Sequence, residues 1–141
     1  MNKSLQLTLC DTQGKLFELS KEKGYGSESF VKAFMTSNIS VDMDKEFHHL
    51  HWAGKSYILS RMEDELSSEL NKKSELYDNE TLYWAGYIYR YWNIYTGESS
   101  KEIYKQAPIK TMNIVYYAYH TMSPEMAIDR LKEDYIRKIK L

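Results

Sequence analysis

The run LYWAGYIYRYWNIY (82–95) decides how this chain folds. Trp84, Ile88, Tyr91, Trp92 and Tyr95 recur at the spacing of one helix face, and Tyr83, Tyr87, Arg90 and Ile94 form a second stripe beside it. A helix apolar on nearly every side is either central in a bundle or shared with a partner. Ala85 and Gly86 are small, so another helix can approach closely there. That packing would offset the roughly 1 kcal/mol that Gly costs relative to Ala inside a helix. Tyrosine is an unusual choice for such a position, because a buried hydroxyl needs a hydrogen-bond partner. Tyr, Trp and Arg together are the favoured anchors of binding surfaces. Trp84, Ile88 and Trp92 therefore read as core, whereas Tyr87, Arg90 and Tyr91 suit an interface as well as they suit the core.

Downstream of this helix the start signals are local and clear. Ser99 with Glu102 three residues later is a capping box that opens a short helix carrying Ile103 and Tyr104. Pro108 starts the next helix, which holds Met112, Val115, Tyr116 and Tyr119. Ser123 followed by Pro124 is an N-cap with an N1 proline, and the final helix carries Met126, Ile128, Leu131, Tyr135, Ile136 and Ile139. Upstream, Asp78 or Asn79 caps the aromatic helix. The polar stretch 72–80 reads as a loop between two helical halves, neither of which is a sufficient core alone.

The first half is less sharply punctuated. Residues 55–73 place Tyr57, Ile58, Met62, Leu66 and Leu70 on one helix face. Asp42 or Asp44 is positioned to open a short helix with Met43, Phe47 and Leu50. Ser27 reads as the cap of a helix carrying Phe30, Val31, Phe34 and Met35. Leu5, Leu7 and Leu9 alternate with Gln6 and Thr8, which is a strand period, although the same letters could start a helix. Asp11-Thr12-Gln13-Gly14 reads as a turn, followed by a short helix that ends near Gly24. The expected fold is mainly α: one domain over 1–141, a bundle of about six or seven helices, with room for a short N-terminal strand.

Composition narrows the function. The chain has 141 residues with 13 Tyr, 3 Trp and 4 Phe, and 19 basic residues against 20 acidic ones leave a net charge of −1. Such a balance supplies no general field for a phosphate backbone. The basic cluster Arg130, Lys132, Arg137, Lys138 and Lys140 suits a helix C-terminus, where cations meet the negative end of the macrodipole. Cys10 is the sole cysteine, so no intrachain disulfide can form, which fits a reducing compartment. No apolar run approaches membrane-spanning length, and no signal peptide is seen at the N-terminus. A cytoplasmic protein is expected.

Catalytic chemistry finds little support. His48, His49 and His51 cluster, and on a helix His48 and His51 would share a face, but a zinc site needs three or four ligands. His120 sits at the end of a helix, where the dipole favours an imidazolium, yet no nucleophile and orienting group accompany it. Gly24 and Gly26 form a lone GxG without the third glycine of a phosphate loop. The chain is therefore read as a binding protein and not an enzyme, with no cofactor and no metal.

The segments GYIYRYW (86–92), SSKEIYK (99–105) and YHTMSPEMAIDRL (119–131), with a proline between the last two, resemble a group of small bacterial proteins. EKGYGSESFVKAFM (22–35) and HWAG (51–54) resemble its longer members. Proteins of that kind are often encoded beside ADP-ribosyltransferase-type toxin genes and are thought to be their antitoxins. The resemblance implies a helical protein that binds and blocks a toxin enzyme. Positions matching its motifs are Tyr87, Arg90, Tyr91, Trp92, Tyr104, Tyr119 and His120. Tyr87, Arg90, Tyr91, Tyr104, Tyr119 and His120 are accordingly the expected partner-binding residues. Two alternatives stay open. One is a helix-turn-helix DNA-binding regulator built on 99–119, although the second helix there offers only Lys110 as a cation. The other is a self-associating helical protein, since an aromatic patch of this size can close a symmetric dimer.

Overall fold

Asn2 accepts a hydrogen bond from the Leu5 amide at 2.8 Å and so caps a helix at the very start of the chain. The computed structural model describes residues 2–45 and 48–140. Among them the order is α1 (Lys3–Glu22), α2 (Ser27–Met35), α3 (Asn38–Asp44), α4 (Lys55–Leu66), α5 (Asn79–Thr96), α6 (Ser100–Gln106), α7 (Ile109–Tyr119) and α8 (Pro124–Ile139). Short 3-10 turns cover His49–Trp52 and Ser67–Glu69. The mainly α expectation holds, and the described residues contain no strand.

The N-terminal strand and the turn at 11–14 are corrected to a single continuous helix. Alternation of Leu5, Leu7 and Leu9 is incidental: Leu7 is 39% exposed, whereas Leu9, Cys10, Gln13, Gly14, Leu16, Phe17 and Ser20 are buried at helical spacing. Gly14 does not break the helix because it is where α5 crosses. A Cβ on Gly86 would stand 2.6 Å from the Gln13 carbonyl oxygen and 2.9 Å from the Gly14 Cα. One on Gly14 would stand 2.8 Å from the Tyr83 carbonyl oxygen. Only a glycine on each helix lets the backbones meet so closely. Gly24 does end α1 as expected, in the left-handed conformation at φ 83°.

Other boundaries shift by recognisable chemistry. Gly26, not Ser27, precedes α2, and the Ser27 hydroxyl instead accepts from the Tyr77 amide at 2.9 Å. With Gly26 N–H donating to the Asn71 carbonyl at 2.7 Å, this pins the polar loop against α2. Ser37 caps α3, so Asp42 and Asp44 lie in its last turn and do not open a helix. Phe47, assigned from sequence to the same helix as Met43, lies outside the described residues. Helix α4 stops at Leu66, short of the expected 73. In the second half the capping box at Ser99 and Glu102 forms as read, and Ser123 accepts from the Met126 amide at 3.2 Å with Pro124 at N1.

The most extensive packing is α1 against α5. Around it Phe17 makes edge contacts with Phe30, Phe34 and Tyr89 at 6.3, 5.8 and 6.1 Å between ring centroids. Ile88, Tyr89 and Trp92 are buried with them, each contributing about 1.5–3 kcal/mol of the kind large apolar side chains gain on burial.

Tyrosine turns out to be a strut. Tyr83 on α5 donates to Asp11 on α1 at 2.5 Å, and Tyr119 on α7 donates to Asp134 on α8 at 2.7 Å. Tyr91 and Tyr95 on α5 donate to Glu125 and Asp129 on α8, and Tyr77 donates to Glu28 on α2. Tyr25 donates to Glu63 on α4 at 2.6 Å. Tyr89, fully buried, donates to the Ala107 carbonyl at 2.5 Å. Tyr83, Tyr91, Tyr95 and Tyr119 each link one helix to another, whereas Tyr25 and Tyr77 tie the loops that hold them to α4 and α2. The phenols stay protonated donors: the bond to Glu125, with burial, pushes Tyr91 up to about 12.

Candidate protein-binding surface

Arg90 is the buried member of the expected binding set. It is 1% exposed, so the expectation that it meets a partner is corrected. Its Nε donates to Gln13 Oε1 at 2.9 Å, and Nη1 donates to Asp44 at 2.7 Å and to Asn93 at 3.2 Å. Gln13 in turn donates to the Gly86 carbonyl at 3.1 Å, and Asp44 accepts from the Ser100 amide at 2.8 Å and hydroxyl at 2.6 Å. One guanidinium thereby ties α1, α3, α5 and α6 together. A buried ion pair of this kind is tolerated because the donors and acceptors around it are satisfied.

The other expected residues divide. Tyr104 is half-buried with its ring edge-on to Tyr89 at 6.2 Å. Tyr91 and Tyr119 are half-exposed, but their hydroxyls are held by Glu125 and Asp134. Tyr87 and His120 are brought together, in a groove of about 590 Å³ lined by α1, α5, α7 and the turn before α8. Trp84, expected in the core, is half-buried and forms part of this groove, edge-on to Tyr116 at 5.7 Å. His120 stacks on Tyr116 at 4.4 Å. Its Nδ1 lies 2.8 Å from the Tyr116 carbonyl and 3.1 Å from that of Tyr117, both of which can accept from a protonated Nδ1.

A second feature lies outside the expected set. Helix α7 buries only Ile109 and Met112, leaving Ile114 72% and Tyr117 88% exposed. On α8, Ile136 and Ile139 are exposed as well. The sequence carried a sign of this. Ile114 and Tyr117 are apolar, three apart, and off the stripe of Met112, Val115, Tyr116 and Tyr119 that the rest of the helix packs inward.

Other candidate chemistry is absorbed by the fold. His51 is buried with Nε2 3.2 Å from the Met43 carbonyl, and burial lowers its pKa. His48 accepts from the Leu50 amide through Nδ1. Among the described residues no group of three His, Cys, Asp or Glu side chains is placed to hold a metal ion. Cys10 is buried, which pushes its thiol up to about 12 and keeps it protonated at neutral pH. The basic cluster of α8 is divided: Lys132 lies over Trp92 at 5.8 Å and donates to Glu98 at 2.5 Å. Burial alone would raise the Glu98 carboxyl, but the bonds from Lys132, Gln106 and Trp92 outweigh it and hold the group at about 2. No described helix is long and apolar enough to cross a membrane. Compared with protein-family models, curated proteins and solved structures, the chain matches none.

Proposed function

We propose that this chain is a protein-binding antitoxin, which neutralises a partner toxin enzyme by forming a complex with it. The observation that carries the binding half is the outer side of α7. Ile114 and Tyr117 stand 72% and 88% exposed beside the aromatic groove of Trp84, Tyr87, Tyr116 and His120. Ile114 and Tyr117 are three apart on one helix face, and the Tyr117 ring lies 6.4 Å from that of His120 in the groove, the kind of clustered apolar exposure that marks contact sites. The toxin half rests on the resemblance of segments 86–92, 99–105 and 119–131. As a DNA recognition helix α7 is poorly equipped, since its exposed Lys110, Asn113, Ile114, Tyr117 and Ala118 include one cation.

The test is co-expression with the product of the adjacent gene. A tagged chain is expected to co-purify with that protein and to relieve its toxicity. The double variant Ile114→Asp/Tyr117→Asp is expected to weaken capture at least about tenfold, because charge at an apolar contact is left desolvated without a partner. No complex and no relief with the wild-type chain would overturn the antitoxin reading. Undiminished capture by the double variant would remove α7 from the interface.

A further inference from the structure

The groove between α5 and α7 has a chemical signature of its own. Its aromatic lining is Tyr83, Trp84, Tyr87 and Tyr116, with Tyr83 tilted against Tyr87 at 6.1 Å, Tyr87 stacked on Tyr91 at 6.3 Å and Tyr116 stacked on His120 at 4.4 Å. Its charged lining residues are Glu18 on α1 and Glu80 on α5. Neither carboxylate makes a hydrogen bond or ion pair among the described residues, and no lysine or arginine lines the groove. Lys15, Lys21 and Lys55 gather instead round a neighbouring hollow that shares Glu18, and Lys15 there is paired with Asp11 at 2.9 Å. Asp78, at the start of α5, adds a third negative charge, and it acts with Glu80 to raise the Tyr116 phenol that burial already raises.

Aromatic rings attract a cation through the ring quadrupole, and the carboxylates of Glu18, which also feels Lys15 from the neighbouring hollow, and Glu80 add negative charge at the same place. Of the protein cations, guanidinium matches best. It is planar and weakly hydrated, so it can stack on Trp and Tyr, and its several donors suit a groove lined by two carboxylates and an imidazole. We propose that this groove is an arginine receptor: the partner inserts an arginine side chain between Trp84, Tyr87 and Tyr116, and Glu18 and Glu80 neutralise it. This rests on the protein-binding reading above and names what the partner must present.

The groove can be tested apart from any partner, by amide and indole NMR with N-acetyl-arginine methylamide as the probe. Saturable shifts are expected at the Trp84 indole, Tyr87 and His120. The uncharged isostere N-acetyl-citrulline methylamide should bind at least about tenfold more weakly, and Glu18→Gln/Glu80→Gln should weaken the arginine probe about fivefold or more, as loss of charge at a cation–π site implies. Trp84→Leu, checked by circular dichroism, should do the same. Equal binding of citrulline, or shifts scattered away from the groove, would overturn the proposal. Tighter binding of N-acetyl-trimethyllysine methylamide than of the arginine probe would overturn the choice of guanidinium. In the complex, Glu18→Gln/Glu80→Gln should weaken capture of the partner. Unchanged capture would sink the receptor while leaving the protein-binding reading intact. Failure of the wild-type chain to form any complex would sink that reading, and the NMR titration would still judge the groove.

Discussion

The seam between α1 and α5 and the outer side of α7 draw on the same aromatic-rich vocabulary, and they use it in opposite ways. At the seam Gly14 and Gly86 bring two backbones into contact, and the polar groups next to them are all paired: Gln13 to the Gly86 carbonyl, Arg90 to Gln13 and Asp44, Asp44 to Ser100. On α7 the helix is held by the buried Ile109 and Met112, by Val115 and Tyr119 packed against the core, and by the Tyr116 ring against Trp84, while Ile114 and Tyr117 touch solvent. A residue's type therefore does not sort it between stability and recognition. What sorts it is whether its polar atom has a partner inside the molecule and whether its apolar surface is covered. On this division, substitutions along the seam cost stability, and substitutions at the exposed Ile114 and Tyr117 of α7 leave it unchanged.

The sharpest blow to the seam is Arg90→Ala. It strands Asp44, whose side chain is 14% exposed, and removes the donor to Gln13 at the meeting point of α1, α3, α5 and α6. Removing one member of a buried, hydrogen-bonded pair costs about 3–5 kcal/mol. Urea unfolding followed by circular dichroism should show that loss. A cost below about 1 kcal/mol would mean the network is solvated and not a clamp.

Gly86→Ala comes next. Alanine is the better helix former by about 1 kcal/mol, so a free-standing α5 would gain. Within the protein the new methyl meets the Gln13 carbonyl oxygen at 2.6 Å and the Gly14 Cα at 2.9 Å. These are backbone atoms and cannot rotate away, so the helices must part. A net loss of about 1–3 kcal/mol is expected, in the range of overpacked cores. A stabilised variant would show that the two helices do not cross at this pair.

These two sites also explain how much could be read in advance. Capping at Ser99, Glu102, Ser123 and Pro124 was legible because each motif carries its own partners within three residues. The core role of Ile88 and Trp92 followed from periodicity alone. The role of Arg90 is hidden in the sequence because its partners Gln13, Asp44 and Ser100 lie 77, 46 and 10 residues away. Helix α1 is hidden for a related reason. Gly14 looks like a turn until Gly86 is set against it. Tyr91 and Tyr119 read from sequence as partner-binding residues, but their hydroxyls are held inside the chain by Glu125 and Asp134, 34 and 15 residues away. Of the expected binding residues, Tyr87 and His120 alone line the groove, and they do so through contacts with Trp84 and Tyr116 that helical spacing along either helix does not reveal.

The smallest effect is expected at Tyr117, and it bears on the other half of the comparison. Its ring is 88% exposed, and no hydrogen bond of its hydroxyl occurs among the described residues. The nearest ring is that of His120, tilted and 6.4 Å away, whereas His120 itself stacks on Tyr116. Tyr117→Ser removes a large apolar surface that the folded chain never buries, so unfolded and folded states lose it alike. Stability should therefore stay within about 0.5 kcal/mol of the parent, as for surface positions without special contacts. The urea midpoint measures this directly. A loss above about 1 kcal/mol would show that the Tyr117 ring is covered in the folded chain, and α7 would then belong with the seam as structure and not with the partner-facing surface.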